Sequence, residues 1–308
     1  MPKRLADWSG VFPAATTQFH QDQSLDLKAT ERHLEALLES GVSGLIVLGS
    51  LGENTALDPD EKVRVVECAV KTAGGRVPVL SGVAEITTAG ACRYVRALEK
   101  TGSAGAGGVA GFMVMPAMIY KADEAEALAH FHAVAKATGL PWMLYNNPIS
   151  YHVDVSPSML NELAGLKNLV ALKESSGNTR RITDIHNEVG DRYAIFTGVD
   201  DLVLESAIVG IDGWVAGTGI AFPKENQHFW ELTRANKWEE ARALYRWFTP
   251  LLHLDTHIKF VQYIKLAIQE AGLGKEWVRA PRLPLEGEER ARVLRIIRDG
   301  IEKRPRLE

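Results

Sequence analysis

Eight short apolar runs, each followed by a helix start or a stretch of helical periodicity, constrain this chain more than any other feature of its sequence. The runs span 10–16, 43–49, 77–82, 109–115, 141–145, 168–173, 193–197 and 213–216, the length and texture of buried strands. Eight β-then-α units predict an α/β protein, a (β/α)8 TIM barrel, over residues 1–222. A doubly wound sheet is the competing arrangement, and the strand count disfavours it. Helix starts punctuate the alternation. Asp58-Pro59-Asp60-Glu61 combines an N-cap acid, proline at the first helical position and a glutamate at the third, and Ser156-Pro157 repeats the cap-plus-proline device. After Pro223 the strand signal stops. Helical patterns then run through 230–236, 239–252 and 256–271 to a charged tail at 286–303, which predicts a C-terminal helical region, 223–308, packed on the barrel.

Composition excludes several function classes. A formal charge of -4 over 308 residues carries no nucleic-acid footprint. No apolar run reaches membrane-spanning length, and Leu5-Ala6-Asp7-Trp8 behind the basic start is no apolar signal core, so a cytoplasmic protein is expected. Cys68 and Cys92 fall in separate helical segments without metal spacing and read as free, reduced thiols. His253 and His257 stand four apart, but no glutamate lies between them and no third ligand is evident, so exposed or capping histidines are expected. The glycine run Gly105-Ala106-Gly107-Gly108 follows a helix and precedes a strand, the reverse of the dinucleotide-binding order. Trp230, Trp238, Tyr245, Trp247 and Phe248 read as packing of the terminal helices on each other or on a neighbouring subunit.

Chemistry in a parallel barrel gathers at the carboxyl ends of the strands. Lys173 ends the sixth apolar run. A lysine partly desolvated there has its charged form disfavoured and can attack a carbonyl as the free amine; position alone favours a lysine reaching for solvent or a carboxylate. Gly49-Ser50-Leu51-Gly52-Glu53-Asn54 follows the second run, and its small residues let backbone N–H groups and the Ser50 hydroxyl approach a substrate carboxylate. A glycine turn after a strand is also what any barrel needs. Tyr145 ends the fifth run and is placed either to carry a proton or to close the barrel top. Gly198-Val199-Asp200-Asp201 offers carbonyls and a carboxylate to a polar substrate group, with Asp200 or Asp201 expected to cap the following helix.

These residues carry a resemblance. Gly-Ser-x-Gly-Glu at 49–53, Tyr-Asn-x-Pro at 145–148, Lys-Glu-Ser at 173–175 and Gly-x-Asp at 198–200, over nearly the whole barrel, make the chain similar to the dihydrodipicolinate synthase / N-acetylneuraminate lyase family of class I Schiff-base enzymes. The resemblance implies Lys173 as the Schiff-base lysine and Tyr145 as the proton-relaying tyrosine. It implies Ser50 with the backbone of Leu51 and Gly52 as the carboxylate holder, and Gly198 and Asp200 at the substrate. It also implies a homotetramer and a small 2-oxo acid or cyclic imino acid substrate, with no metal and no cofactor.

The departures from the family pattern are specific. The synthases carry two threonines where this chain has Ser50 and Leu51, and Leu51 cannot relay a proton, so the hydroxyl relay from Tyr145 is expected to be interrupted. Ser150, followed by Tyr151 and His152, stands where the synthases place an arginine for a second carboxylate. Ala117-Met118 replaces their paired tyrosines. With Val199, these residues suggest a small, apolar pocket rather than one that holds the many hydroxyls of a 2-oxo-3-deoxy sugar acid. Gly10-Val11-Phe12-Pro13-Ala14-Ala15-Thr16-Thr17-Gln18-Phe19, Gly82-Val83-Ala84-Glu85, Ser175-Ser176 and Arg180-Arg181-Ile182-Thr183 are more similar to the branch acting on Δ1-pyrroline-4-hydroxy-2-carboxylate. The resemblance therefore implies a deaminating dehydratase, with a sugar-acid aldolase or dehydratase using the same lysine chemistry, or a non-catalytic binding paralogue, as alternatives. Glu85, Gln18, His152 and Asp200 all lie just past strands, and spacing does not rank them as the group assisting hydroxyl departure.

Overall fold

The computed structural model describes residues 6–102, 107–117 and 120–307. Met118 and the Gly105-Ala106 part of the glycine run lie outside these. The eight expected strands are all present: β1 (Gly10–Val11), β2 (Leu45–Val47), β3 (Val79–Val83), β4 (Gly111–Val114), β5 (Trp142–Asn146), β6 (Leu169–Glu174), β7 (Ala194–Thr197) and β8 (Gly213–Trp214). Every neighbouring pair is parallel, in the order β1-β8-β7-β6-β5-β4-β3-β2. A parallel bridge between Ala14 and Ile46 joins the two ends and closes the barrel.

The ladder of β1 is shorter than the 10–16 run. Pro13 has no N–H to give, so the regular pairing stops at Val11. The chain nevertheless stays extended: the Ala14 N–H donates to Ala216 O at 2.9 Å, and the Ala15 N–H donates to Ile46 O at 2.8 Å. Every strand residue is buried, because helices cover the outer face while side chains fill the interior.

Four long helices follow the first four strands: α1 (Leu27–Glu39), α2 (Pro59–Ala73), α3 (Thr88–Gly102) and α4 (Glu124–Ala137). The next connections are shorter: α5 (Pro148–Tyr151), α6 (Pro157–Glu162), α7 (Arg180–Val189) and α8 (Val203–Ile208). Both cap-plus-proline signals mark real starts. Glu61 accepts the Asp58 N–H at 3.0 Å ahead of α2, and the Ser156 hydroxyl accepts the Met159 N–H at 3.3 Å ahead of α6. Beyond β8 come α9 (Pro223–Arg234), α10 (Trp238–Leu252), α11 (Phe260–Glu270) and α12 (Gly287–Glu302). Helix α9 packs on β1 and α8, and α12 packs on α10 and α11. The Trp247 indole N–H of α10 donates to Gly300 O of α12 at 2.9 Å and Tyr245 stacks on Phe229 of α9 at 5.7 Å, so these aromatics pack the terminal helices together. Among the described residues no helix is long and apolar enough to cross a membrane.

Candidate active site

The carboxyl ends of β5, β6 and β7 bring three of the expected residues together. Lys173 pairs in register with Tyr145 on one side and Phe196 on the other, so Lys173 and Tyr145 project into the barrel side by side. The lysine Nζ lies 4.0 Å from the centre of the Tyr145 ring. Gly198 makes room for the lysine: a β-carbon there would stand 2.3 Å from Lys173 Cε and 2.3 Å from Ser175 Oγ. No larger residue fits beside that side chain in this position.

Burial dominates the electrostatics. Lys173 is 6% exposed, and loss of hydration lowers its pKa, partly offset by Tyr151, Asp255 and Asp200. The free amine is thereby favoured. Tyr145 is pushed above the ordinary phenol value by burial, opposed mainly by the Asn147 amide, which donates to its oxygen at 3.1 Å.

Ser50 reaches this pair through a residue that the sequence did not single out. Its hydroxyl is hydrogen-bonded to that of Tyr151, and the Tyr151 ring meets the Tyr145 ring edge-on at 5.3 Å. Tyr151 thus links Ser50 to the Tyr145 ring without passing through Leu51. Leu51 is buried, and Ser50, Tyr151 and Tyr145 set hydroxyls in succession from the β2 loop to β5. Asn147 builds this arrangement: its side chain caps α5, accepting the Ser150 N–H at 3.0 Å, and His152 ends that single turn in the left-handed region. Tyr151 is thus folded back over Tyr145, while Ser150 and His152 are exposed.

The β2 loop is fixed from below and behind. The Gly52 carbonyl accepts the Thr17 hydroxyl at 2.7 Å, and a β-carbon on Gly52 would come within 2.7 Å of Leu48 N. Glu53, left-handed at φ 53, forms a fully buried ion pair with Lys265 of α11 at 2.6 Å.

Asp200 is not a helix cap. Its carboxylate accepts the Trp214 indole N–H at 2.9 Å, the Gly217 N–H at 3.0 Å and the Thr218 N–H at 2.6 Å; the turn it opens has no side-chain cap. The β8 loop passes over it and offers these donors, which a capping geometry would have forgone. Asp201 likewise is no cap, and pairs with the exposed His253 at 2.7 Å. Of the other groups left unranked, Glu85 is tied to Lys62 at 2.6 Å. Gln18 is held between Thr16 and the Lys275 N–H.

Two further features escaped the sequence reading. Asp255, on the turn His253–Thr256 after α10, reaches back over the barrel mouth to Gly217 and Asp200. Ser175 Oγ and Thr218 Oγ1 are buried hydroxyls without a hydrogen-bond partner, beside Lys173 and Asp200 respectively. A local signal for Tyr151 existed in the Asn-Pro turn that reverses the chain. For Asp255 there was none, because its neighbours come from β6 and from the turn after β7. Among the described residues no group of acidic, histidine or cysteine side chains is arranged to hold a metal ion.

Comparison with known proteins places this geometry. A model described as the dihydrodipicolinate synthetase family matches residues 7–299. The 4-hydroxy-tetrahydrodipicolinate synthase of Xanthomonas campestris is 33% identical over 90% of this chain and 89% of its own length. A synthase of the same name from Halalkalibacterium halodurans is 30% identical over 91% and 92%. The crystal structure of a dihydrodipicolinate synthase from Bacillus anthracis superposes with a TM-score of 0.89 at 27% identity, covering 98% of this chain and all of that one. A closed parallel barrel with a buried lysine at the end of its sixth strand, matched along almost its whole length, belongs to the dihydrodipicolinate synthetase family of class I Schiff-base enzymes.

Proposed function

We propose that this enzyme converts Δ1-pyrroline-4-hydroxy-2-carboxylate to 2,5-dioxopentanoate and ammonia, with Lys173 as the Schiff-base residue. The observation that carries the reading is the sign of the charge around the lysine. The titratable groups whose fields reach Lys173 are Tyr151, Asp255 and Asp200, all of them acids and none a base, and exposed Ser150 stands where the synthases use an arginine for a second carboxylate. Such a site suits a substrate with one carboxylate and a cationic or hydroxylated far end. A second substrate carboxylate would meet repulsion.

The Lys173 amine adds to C2 of the cyclic imine, and the ring opens by transimination. The freed C5 amine becomes an ammonium, which the Asp200 carboxylate accommodates. Tyr145 takes a proton from C3 and passes it along the hydroxyl succession to Tyr151 and Ser50; the C2 imine receives the electrons. Departure of the C4 hydroxyl as water, proton shift to a C5 imine and hydrolysis at C2 and C5 release the products. Overall, one substrate and one water give one dioxo acid and one ammonia. Ser50 and the backbone of Leu51 and Gly52 hold the carboxylate throughout.

The test is ammonia release from the pyrroline, with the semialdehyde read by a coupled dehydrogenase, and Lys173→Ala as the control. Release of both products by the wild-type enzyme and none by the variant is expected. A wild-type enzyme that forms a borohydride-reducible pyruvate adduct but releases no ammonia would favour a sugar-acid aldolase or dehydratase instead.

A further inference from the structure

Asp255 has no part in the chemistry so far, yet the fold brings it to the lysine. It comes from the turn after α10, outside the eight strand–helix units, and faces Asp200 across one glycine. A β-carbon on Gly217 would meet Asp255 Oδ1 at 2.5 Å and Asp200 Oδ2 at 3.2 Å. The charged and titratable groups facing it are Asp200 and Asp201 from the turn after β7, Lys173 from β6 and Tyr145 from β5.

The two carboxyls have unlike surroundings. Asp200 is fully buried, which raises its pKa, but three N–H donors and the Lys173 charge favour its carboxylate form and oppose that rise. Asp255 is half-buried at the rim, where water can return a proton to it. Burial and the charge of Asp200 raise its pKa well above the ordinary carboxyl value, as expected when two acids share a site. Asp200 is bound by fixed donors, whereas Asp255 is an acid that water can replenish.

We infer that Asp255 is the general acid that protonates the departing C4 hydroxyl, an inference that rests on the dehydration proposed above. In that step the enamine nitrogen lone pair re-forms the C2 imine and the C2–C3 pair moves to C3–C4. The C4–O bond breaks, and the oxygen takes the Asp255 proton and leaves as water. Asp255 ends as a carboxylate and is reprotonated from solvent. Aldol cleavage would need no acid there, so this residue directs the shared enamine toward elimination.

Asp255→Asn tests the role, because the amide oxygen still accepts the Asp200 N–H while the acidic proton is gone. Three rates are compared with wild type: borohydride trapping of pyruvate on Lys173, exchange of pyruvate methyl protons in D2O, and ammonia release from the pyrroline. Trapping and exchange should stay within about threefold, ammonia release should fall roughly 10²–10⁴-fold, and the alkaline limb of its pH profile should vanish. Asp255→Glu, which keeps a carboxyl, should recover part of the release. Release near the wild-type rate in Asp255→Asn, or an equal loss of all three rates with no recovery in Asp255→Glu, overturns the assignment. Absence of release from the wild-type enzyme defeats the substrate reading itself, a separate result because it is read without any variant.

Discussion

At the scale of the residue, the proposed mechanism makes Tyr151 the group that lets Tyr145 move protons. A phenol whose pKa is raised by burial accepts a proton from carbon only if its own proton has somewhere to go. In the proposed relay, Tyr151, hydrogen-bonded to Ser50, is that exit. Tyr151→Phe keeps the edge-on ring contact and removes the hydroxyl. It should slow methyl-proton exchange of bound pyruvate by about 10²-fold while leaving borohydride trapping on Lys173 intact; unchanged exchange would remove Tyr151 from the relay. Lys173, Tyr145 and Ser50 were legible in the sequence because each stands at a strand end inside a local motif. Tyr151 and Asp255 were not, since each acquires its meaning only from residues that the barrel brings near.

At the scale of the element, α11 holds the β2 loop through a single buried contact. Lys265 gives its ammonium to Glu53 at 2.6 Å and to the Trp277 carbonyl at 2.7 Å, with both partners of the ion pair fully buried. Burial lowers the Lys265 pKa to about 8, against the pull of Glu53. Glu53 also accepts the Arg279 N–H at 3.0 Å, so a stretch beyond α11 straps the same loop. Lys265→Met strands the carboxylate. It should cost about 3 kcal/mol in a denaturant titration and raise KM, because the loop carries Ser50. A loss below about 1 kcal/mol would mean that Arg279 and Arg282 alone neutralise Glu53. The eight strands were readable because buried parallel strands need apolar runs. This cross-link was not, since a Glu–Lys pair so distant in sequence leaves no periodic trace.

At the scale of the whole molecule, a buried histidine ties acid stability to closure of the barrel. His33 lies on α1, fully buried, with Nε2 3.1 Å from the Ile220 carbonyl and Nδ1 3.4 Å from the Thr16 hydroxyl. A carbonyl only accepts, so Nε2 carries the proton and Nδ1 accepts from Thr16. The neutral ring thus joins α1 to the chain after β1 and to the turn Thr218–Ala221 after β8, the seam where the last strand meets the first. Burial lowers the His33 pKa to about 4 from 6.5. Between those values the unfolded chain binds a proton that the folded protein refuses, so stability falls as pH falls from 6.5 toward 4, by about 3 kcal/mol in total. Exposed carboxylates held down by partners, such as Glu35 beside Arg76, weaken the fold in the same direction at low pH, so wild type alone cannot isolate the histidine. Comparing urea midpoints at pH 7 and pH 4.5 for wild type and His33→Gln does so. The variant should start less stable at pH 7 and lose less on acidification, and parallel losses in both proteins would show that the seam opens for some other reason.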